Sequence, residues 1–366
     1  MLTEKYFAPG RINLIGEHLD YNGGWVLPIA INKGITATVH RRKDGLFRLS
    51  SEGHDFVFEG SLDPIQSYDP MLQWTNYPLG VLNYLQEHGE KFIGASIHFE
   101  SNLPEGSGLS SSAAIEVITA YLTVQPLHQK IDRVELALLC QKVENHFIGV
   151  KCGIMDQFAV ANAERDHAIL LNCETLEYRQ VPFELGDYSL VVMNTCNPRT
   201  LIKSAYNARK QECELALTIF QKRQPEIAAL AQAPMELLQL INDDVLMRRA
   251  RHVISEQLRV KHSVQALENG DLHTFGRLMT ASHQSLKNDY EVTGPELDVL
   301  AETAQNVEGC LGARMTGAGF GGCAIALVRK TEVVRFTEVV TKIFERKFGT
   351  SCQMFETNAG RGVYYF

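Results

Sequence analysis

No two cysteines in this sequence have the Cys-x-x-Cys spacing that zinc sites and dithiol centres use. The chain has 366 residues and eight cysteines, which are scattered and lie mostly beside apolar residues. This pattern is typical of reduced thiols in a core, and it argues against a disulfide framework and against a cysteine zinc site. We therefore predict a cytoplasmic protein.

The sequence also lacks a long apolar run, an excess of basic charge and a secretory leader. No segment approaches the roughly 20 apolar residues of a membrane-spanning helix, and residues 1–9 lack the apolar stretch of a signal peptide. A formal net charge of −8 argues against a general nucleic-acid binder. We expect small-molecule partners, with no nucleic acid and no membrane among them, and either a monomer or a weak dimer.

Several familiar catalytic motifs are absent as well. The sequence has no Gly-x-x-x-x-Gly-Lys-Ser/Thr loop, no His-Arg-Asp or Asp-Phe-Gly motif, no Gly-x-Ser-x-Gly and no His-Glu-x-x-His. Residues 317–322 match Gly-x-Gly-x-x-Gly, but that fingerprint must open a helix, whereas residues 323–328 are predicted as a strand. We predict a glycine-rich turn between strands, and the dehydrogenase that the fingerprint would indicate should fail to bind NAD.

The length exceeds what one core usually holds, so we predict two domains, 1–180 and 181–366, with a boundary near Val181. β-Branched runs bounded by Gly and Asn predict strands, and apolar residues at helical spacing predict helices. The predicted strands are 25–31, 34–39, 94–100, 168–171, 188–193 and 363–366, with an edge hairpin over 46–58. One predicted helix ends near His88. The other predicted helices cover 115–122, 132–148, 204–224, 244–269, 271–289 and 332–349, and Asp271 is the predicted N-cap of the helix 271–289.

The first informative stretch, Gly10–Gly24, crowds an Arg, two carboxylates, a His and a Tyr between glycines. Apolar Ile12, Leu14 and Ile15 are interleaved with them, which indicates partial burial for what we interpret as a loop. Buried charge needs partners or a ligand. The alternative is a structural ion-pair loop without catalytic work.

In the second stretch, Leu103–Ala114, a strand runs into a Gly- and Ser-rich loop that opens a helix. Amides freed by the glycines, together with the positive end of the helix, form a site for an anion. The alternative is that Ser110 merely caps the helix.

Two acids and one basic cluster need an interpretation. Asp156 is the only charge in the apolar run 154–160, where an acid is a helix cap, a satisfied core carboxylate or a base. Glu144 lies at the edge of the apolar stripe of the helix predicted over 132–148. The cluster 248–252, which is followed by Glu256, is most simply a solvated helix face with ion pairs.

A phosphate cradle, a Glu on the next helix and an isolated Asp together fit phosphoryl transfer from a magnesium nucleotide to a hydroxyl.

The three stretches, in this order, resemble the GHMP kinase superfamily, and 10–22 resembles the signature of its galactokinase family. Gly153–Gln157, Ser204–Asn207, Arg249–His252 and Asp289–Val292 are similar as well. The resemblance implies an α+β GHMP kinase fold, with an N-terminal mixed α/β sheet domain, a C-terminal α+β domain and the active site in the cleft between them. It also implies ATP-dependent phosphorylation of the C1 hydroxyl of galactose.

The resemblance assigns roles to individual residues. Asp156 would take the proton from the sugar, and Arg11 would hold that carboxylate ionised and offset charge on the moving phosphoryl group. Sugar hydroxyls would bind Glu17, His18, Asp20, Gly153 and Tyr206. The nucleotide would bind Gly106, Ser107, Gly108, Leu109, Ser110, Ser111 and Ser112, with Trp74 and Tyr77 beside adenine. Ser112 and Glu144 would hold Mg²⁺.

The sequence departs from the family pattern in four places. Leu19 replaces a usual Thr, 105–107 has Glu-Gly-Ser where smaller residues are expected, Thr293-Gly294 replaces a commoner Ser-Cys, and no extension precedes the signature. These departures leave open a kinase for N-acetylgalactosamine or another sugar. A catalytically silent relative that senses sugar and ATP is a further alternative.

Overall fold

The structure is a computed structural model that describes residues 3–63, 65, 67–104, 106–127, 130–197 and 202–366. Glu105, which the sequence places in the phosphate loop, lies outside the described residues. In the described part of the chain, no helix combines the length and the apolar character needed to cross a membrane.

The first sheet has six strands in the order β13-β1-β3-β6-β4-β5. Neighbouring strands are antiparallel except for the parallel pair of β4 and β6. From Ala8 onward β1 is buried: β3 pairs along one edge, and on the other edge Arg11 N donates to the carbonyl oxygen of Leu109. The predicted edge hairpin is confirmed as β4 and β5. The strands are β1 (Glu4–Asn13), β3 (Pro28–Arg41), β4 (Phe47–Ser51), β5 (His54–Gly60), β6 (Ala95–Ser101) and β13 (Tyr364–Tyr365).

Two expectations for this region are wrong. Residues 10–13, predicted as part of a loop, belong to β1, so the loop itself covers 14–24. The predicted break between strands at Asn32 and Lys33 is absent, and β3 is continuous across it. The reason is tertiary, since β3 pairs on both sides of the predicted break with β1, which overrides the local preference of Asn for turns.

Four helices pack on the first sheet or on each other beside it. They are α1 (Asn76–Glu87), α2 (Ser111–Val124), α3 (Arg133–Val143) and α4 (Met155–Asn162). The central helix α2 contacts β1, β3 and the other three helices. The helix predicted over 132–148 is confirmed, with its last turn, Glu144–Ile148, widened to a π-turn. A small sheet of β2 (Trp25–Val26), β7 (His167–Asn172) and β8 (Tyr178–Pro182) lies alongside.

The second large sheet is antiparallel, in the order β10-β11-β9-β12. Helices α7 and α8 pack on β10, while α5, α6 and α7 pack in succession. The glycine-rich segment 317–322 joins β10 to β11, so the predicted turn between strands is confirmed. The strands are β9 (Tyr188–Asn194), β10 (Cys310–Thr316), β11 (Cys323–Arg329) and β12 (Gln353–Thr357). The helices are α5 (Ile202–Gln221), α6 (Asp244–Glu268), α7 (Leu272–Ser285), α8 (Gly294–Gln305) and α9 (Val333–Phe348).

Helix predictions for this half are largely confirmed, including Asp271 as the N-cap of α7, where its carboxylate accepts from Thr274 N at 2.9 Å. Helix α8 was not expected from the sequence. The final strand, β13, returns to pair with β1, and Val181 lies within β8. The division at 180/181 stays a prediction.

The solvated-face interpretation of the basic cluster 248–252 is wrong for two of its members. Arg249 and His252 are buried. The Arg249 guanidinium bonds to Glu212 and Glu291 and donates to the Asp289 carbonyl oxygen. Helix α6 is covered by α5 and α7 on the side that carries Arg249 and His252, so these two residues make internal hydrogen bonds and do not face solvent.

Candidate active site

A cavity of about 450 Å³ lies where the loop after β1, the start of α2, the start of α4 and the β10–β11 turn converge. Helix α5 contributes Tyr206 and Asn207 to its wall. The cavity therefore lies between the first sheet with its helices and the second half of the chain. It gathers most of the predicted site residues, namely Arg11, Glu17, His18, Asp20, Gly108, Ser110, Ser111, Ser112, Glu144, Gly153, Asp156 and Tyr206.

Arg11 and Asp156, 145 residues apart, form a two-pronged ion pair in this cavity. Nε of Arg11 is 2.8 Å from Oδ1 of Asp156, and the second contact, to Oδ2, is 2.9 Å. The remaining guanidinium nitrogen donates to the Gly108 carbonyl oxygen at 2.8 Å. The Asp156 side chain keeps 30% of its surface exposed, whereas Arg11 is buried. The carboxylate is thus held firmly and still faces the cavity.

The glycine- and serine-rich loop contains three residues in the left-handed region of backbone conformation. Gly106 and Gly108 have positive φ angles, and so does Ser110, at +62°, which is unusual for a residue other than glycine. Ser110 makes no side-chain cap for α2; its hydroxyl donates to Oδ2 of Asp156. The interpretation of Ser110 as a mere helix cap is therefore wrong.

Not every residue of the loop reaches the cavity. The described lining includes Gly108 and Ser110–Ser112 but neither Gly106, Ser107 nor Leu109. Leu109 is buried, and its carbonyl oxygen accepts from Arg11 N at 3.1 Å. Leu109 therefore ties the loop to β1.

Buried acids lie behind the serines. Glu144, in the π-turn, receives hydrogen bonds from the Ser112 hydroxyl and from the Gln157 amide. Burial, followed by the charge of Asp156, raises the pKa of Glu144 to about 7. Together, Ser112 and Glu144 offer the cavity two hard oxygen donors of the kind that Mg²⁺ prefers.

On the opposite wall, Asp20 faces Gly153. A Cβ atom at position 153 would lie 2.1 Å from Oδ2 of Asp20, so only glycine fits there. Burial and then the charge of Asp156 raise the pKa of Asp20 to about 7. Asp20 and Asp156 repel each other when both are ionised, and a ligand hydroxyl that donates to one of them would reduce this repulsion.

His18 belongs to an aromatic cluster at the same end. Its Nδ1 is 2.8 Å from the Tyr21 hydroxyl, and its ring lies 5.9 Å from that of Tyr206 and 4.6 Å from that of Tyr290. Burial, together with the charge of His252, lowers the pKa of His18 to about 3. His18 is therefore neutral near pH 7 and acts through hydrogen bonding and packing.

Glu17 lies deeper than the sequence suggests. Its carboxylate pairs with Arg314 on β10, accepts from Gly317 N at 3.0 Å and is almost wholly buried. Arg314 also donates to the carbonyl oxygens of Asn13 and Leu14 and lies 3.9 Å from Glu256. Sequence reasoning missed Arg314, although a lone cation inside an apolar strand was a usable signal.

Other lining residues were also missed. Val150, Lys151 and Cys152 line the cavity from the loop before α4, and Ala318 lines it from the glycine turn. Lys151 could have been noticed as a cation in a short glycine-flanked loop.

Trp74, predicted beside adenine, is not among the described residues that line this cavity. Its indole donates to the Phe56 carbonyl oxygen at 3.2 Å and its ring packs near Phe99. Tyr77 lies near Glu144, and burial with that charge raises its pKa to about 12. The adenine contacts of both residues stay a prediction.

A second cluster, His283, Asp298 and Glu302, has the residue types of a metal site. The Lys287 ammonium already pairs with both acids. Nδ1 of His283 accepts from Met315 N at 3.3 Å, so the ring proton sits on Nε2, 3.5 Å from Asp298. A nitrogen that carries a proton offers no lone pair to a metal, so this cluster is a structural ion-pair group.

Chemically, the cavity combines a cradle of main-chain amides, a paired carboxylate beside an arginine, and two oxygen donors for a hard cation. A phosphorylated co-substrate and a hydroxyl-bearing acceptor fit these features.

Three families match the chain. GHMP kinases N terminal domain matches residues 76–164, the galactokinase galactose-binding signature matches 4–41, and GHMP kinases C terminal matches 263–346. The first two matches include the residues that form the Arg11–Asp156 pair.

Relatives match over nearly the full length. A Staphylococcus carnosus protein named galactokinase is 49% identical over 98% of this chain and 94% of its own. One from Halalkalibacterium halodurans with the same name is 46% identical, over 98% and 91%. The crystal structure of Lactococcus lactis galactokinase with galactose has a TM-score of 0.95 and 44% identity, over 99% of this chain and 95% of that one. A mevalonate kinase structure, 19% identical, with a TM-score of 0.70 and coverage of 98% and 99%, shares the fold.

Proposed function

The chain belongs to the galactokinase family of the GHMP kinases, and we propose that its cavity transfers the γ-phosphoryl group of ATP to the C1 hydroxyl of galactose. The observation that carries the assignment of the site is the Arg11–Asp156 pair, which lies beside Gly108 at the amino end of α2. This geometry supports the proposal, because a carboxylate that can accept a proton lies beside main-chain amides that can bind phosphate.

The sugar binds at the wall that holds Asp20, His18, Tyr206 and the Gly153 backbone, and Glu17, which is 1% exposed, supports that wall from behind. Carboxylate oxygens accept hydrogen bonds from hydroxyls in defined directions, so an epimer leaves an acceptor unmatched. Gly153 keeps Asp20 in place because no side chain intervenes. Glu17, tied to Arg314 and Gly317, has a fixed orientation.

Transfer requires that the sugar hydroxyl reach Asp156. The carboxylate accepts the C1 hydroxyl proton as the oxygen attacks phosphorus, while the Arg11 guanidinium offsets the negative charge on the phosphoryl oxygens. The Ser110 hydroxyl and Arg11 hold Asp156 in one orientation. The loop residues that line the cavity, Gly108 and Ser110–Ser112, bind the remaining phosphate oxygens through main-chain amides at the start of α2.

Ser112 and Glu144 fit Mg²⁺, since both are hard oxygen donors, both line the cavity and the Ser112 hydroxyl bonds to the Glu144 carboxylate. When bound, the cation neutralises phosphate charge. The eight cysteines, all within the described residues, form no disulfide, which supports a reducing, cytoplasmic compartment. A monomer or a weak dimer stays our prediction.

The test is Asp156→Asn, with a panel of monosaccharides and MgATP scored for phosphate at C1. We expect galactose to be the preferred substrate of the unmodified protein. The variant should lose sugar-dependent ADP release by about 10³-fold or more while it still binds ADP. Asp55→Asn, an exposed carboxyl on β5, is the control and should retain activity.

Near-normal turnover in Asp156→Asn would show that another group takes the proton. Preference for N-acetylgalactosamine would change the substrate and keep the site, whereas sugar and ATP binding without phosphorylated product would indicate a sensor.

A further inference from the structure

A row of three buried polar side chains leads from the middle of α2 to Glu144. Nε2 of Gln157, on α4, donates to Oε2 of Glu144 at 2.5 Å. The same nitrogen lies 3.4 Å from Oε2 of Glu116, on α2. Glu116 and Gln157 are fully buried, and Glu144 is 7% exposed. One amide group therefore bridges the two acids.

Two atoms of this row have no hydrogen-bond partner among the described residues, Oε1 of Glu116 and Oε1 of Gln157. Burial, followed by the charge of Glu144, raises the pKa of Glu116 well above its ordinary value. A neutral carboxyl carries a hydroxyl donor, and the Gln157 carbonyl is the acceptor left in the row. An acid–amide pair of this kind would satisfy both atoms.

A buried acid in an otherwise apolar helix segment costs stability unless it has a partner. Glu116 is the only charged residue of α2, and its neighbours on both sides are apolar. A side-chain amide can point either its NH₂ group or its oxygen at a neighbour. Turned the wrong way, the oxygen of Gln157 would repel the Glu144 carboxylate.

We propose that Glu116 is a positioning residue for the divalent cation: it holds the Gln157 amide with its NH₂ group toward Glu144 and so fixes the Glu144 carboxylate beside Ser112. This inference rests on the proposed function, because it takes Glu144 and Ser112 as the magnesium ligands. Glu116 itself touches neither the cation nor the substrates. It acts through Gln157 alone.

The experiment measures Mn²⁺ binding to the complex of the full-length enzyme with ADP, by electron paramagnetic resonance, and ADP binding in EDTA, by calorimetry. Glu116→Met keeps the length of the side chain and removes its hydrogen bonds. We expect the Mn²⁺ dissociation constant to rise about tenfold, as is usual for the loss of a group behind a metal ligand. Affinity for ADP without metal should stay within twofold. Glu116→Gln, which can pair with the Gln157 amide, should restore Mn²⁺ binding to within about threefold of the unmodified enzyme.

Two controls separate this role from general damage to α2. Thr119→Val alters another fully buried polar residue of α2, whose hydroxyl bonds to the Ile115 carbonyl oxygen, and should leave Mn²⁺ binding unchanged. Gln157→Met should weaken it as Glu116→Met does. The double variant should be no weaker than either single one, since both act on the same carboxylate.

Glu144→Gln separates the outcomes. If it weakens Mn²⁺ binding while Glu116→Met does not, the positioning role is overturned and the proposed metal site stands. If Glu144→Gln has no effect, the metal assignment itself is wrong. Should Glu116→Met not fold, Glu116→Asp, which withdraws the carboxyl by one methylene, must give the weakening, and unchanged binding there overturns the inference.

Discussion

Two arginine–carboxylate pairs lie close together in this molecule, and they differ in what surrounds them. Arg11–Asp156 borders the cavity, with 30% of the Asp156 side chain exposed. Arg314–Glu17 is sealed, with Arg314 at 0% and Glu17 at 1%. The first carboxylate has a side that a substrate can reach. The second is enclosed by Thr316, Gly317 and the backbone of the loop after β1.

The difference shows that the signature does two jobs. Arg11, at its start, pairs with the carboxylate that we propose as the base, whereas Glu17, six residues later, ties the loop to β10 on the other half of the chain. An ion pair that keeps an open side can exchange interactions with a ligand during the reaction. A sealed pair is worth most as a fixed brace, and it is costly to break, because either partner alone would be an unpaired buried charge.

Breaking the sealed pair should have the largest effect. Arg314→Met leaves the buried Glu17 carboxylate without its cation and removes the second positive charge near Glu256, 3.9 Å away. The free energy of unfolding should therefore fall by about 3–5 kcal/mol. Urea denaturation measures it. Arg335→Met, which breaks an exposed pair with Glu308, is the matched control and should cost less than about 1 kcal/mol.

The double variant Glu17→Gln with Arg314→Met sharpens the test, because it removes the unpaired charge. Part of the lost stability should return. If Arg314→Met alone lowered the free energy of unfolding by less than about 1 kcal/mol, the Arg314–Glu17 pair would not be an important stabilising contact.

Breaking the open pair should act on turnover instead. Arg11→Met removes the charge that faces the phosphoryl group, and kcat should fall about 10²–10³-fold. Steady-state kinetics with galactose and MgATP measures this, and urea denaturation confirms the fold. Arg11→Lys keeps the positive charge without the two-pronged geometry, so its kcat should lie between that of Arg11→Met and that of the unmodified protein. A variant that loses stability but keeps kcat would make this pair a second brace.

The sequence makes the members of one ion pair easier to recognise than those of the other. Asp156 stands out as the only charge in an apolar run and Arg11 as a charge in a glycine-bounded stretch, but only the resemblance to the galactokinase family pairs them. Glu17 was assigned to the sugar, but its partner Arg314 was missed, since a contact across 297 positions leaves no local period to detect. Sheet pairing also decided what local preference could not: β3 runs unbroken through Asn32 and Lys33 because it pairs with β1 on both sides of them.

Asp20, which lines the same cavity, should make the stability of the protein depend on pH. Its folded pKa of about 7 lies above the ordinary value, so the folded state keeps a proton that the unfolded chain has lost between about pH 4 and 7. Stability from this group is therefore present at low pH and lost as the pH rises toward 7. The fall in unfolding free energy from pH 5 to pH 8 should be smaller in Asp20→Asn, by about 2 kcal/mol after solvent screening.

Urea denaturation at both pH values measures this difference, with Asp55→Asn as the control on an exposed carboxyl. An identical pH slope in Asp20→Asn and the unmodified protein would mean that Asp20 ionises as it does in water.

The smallest expected effect comes from Gly153→Ala. The added Cβ would lie 2.1 Å from Oδ2 of Asp20, so the carboxylate must move. The KM for galactose should rise about tenfold, or 1.4 kcal/mol, with kcat changed less than about threefold because Arg11 and Asp156 are untouched. Gly60→Ala on β5 is the control. If Gly153 acts only through Asp20, the double variant Asp20→Ala with Gly153→Ala should bind galactose no worse than Asp20→Ala alone, whereas additive losses would show that the Gly153 backbone holds the sugar itself.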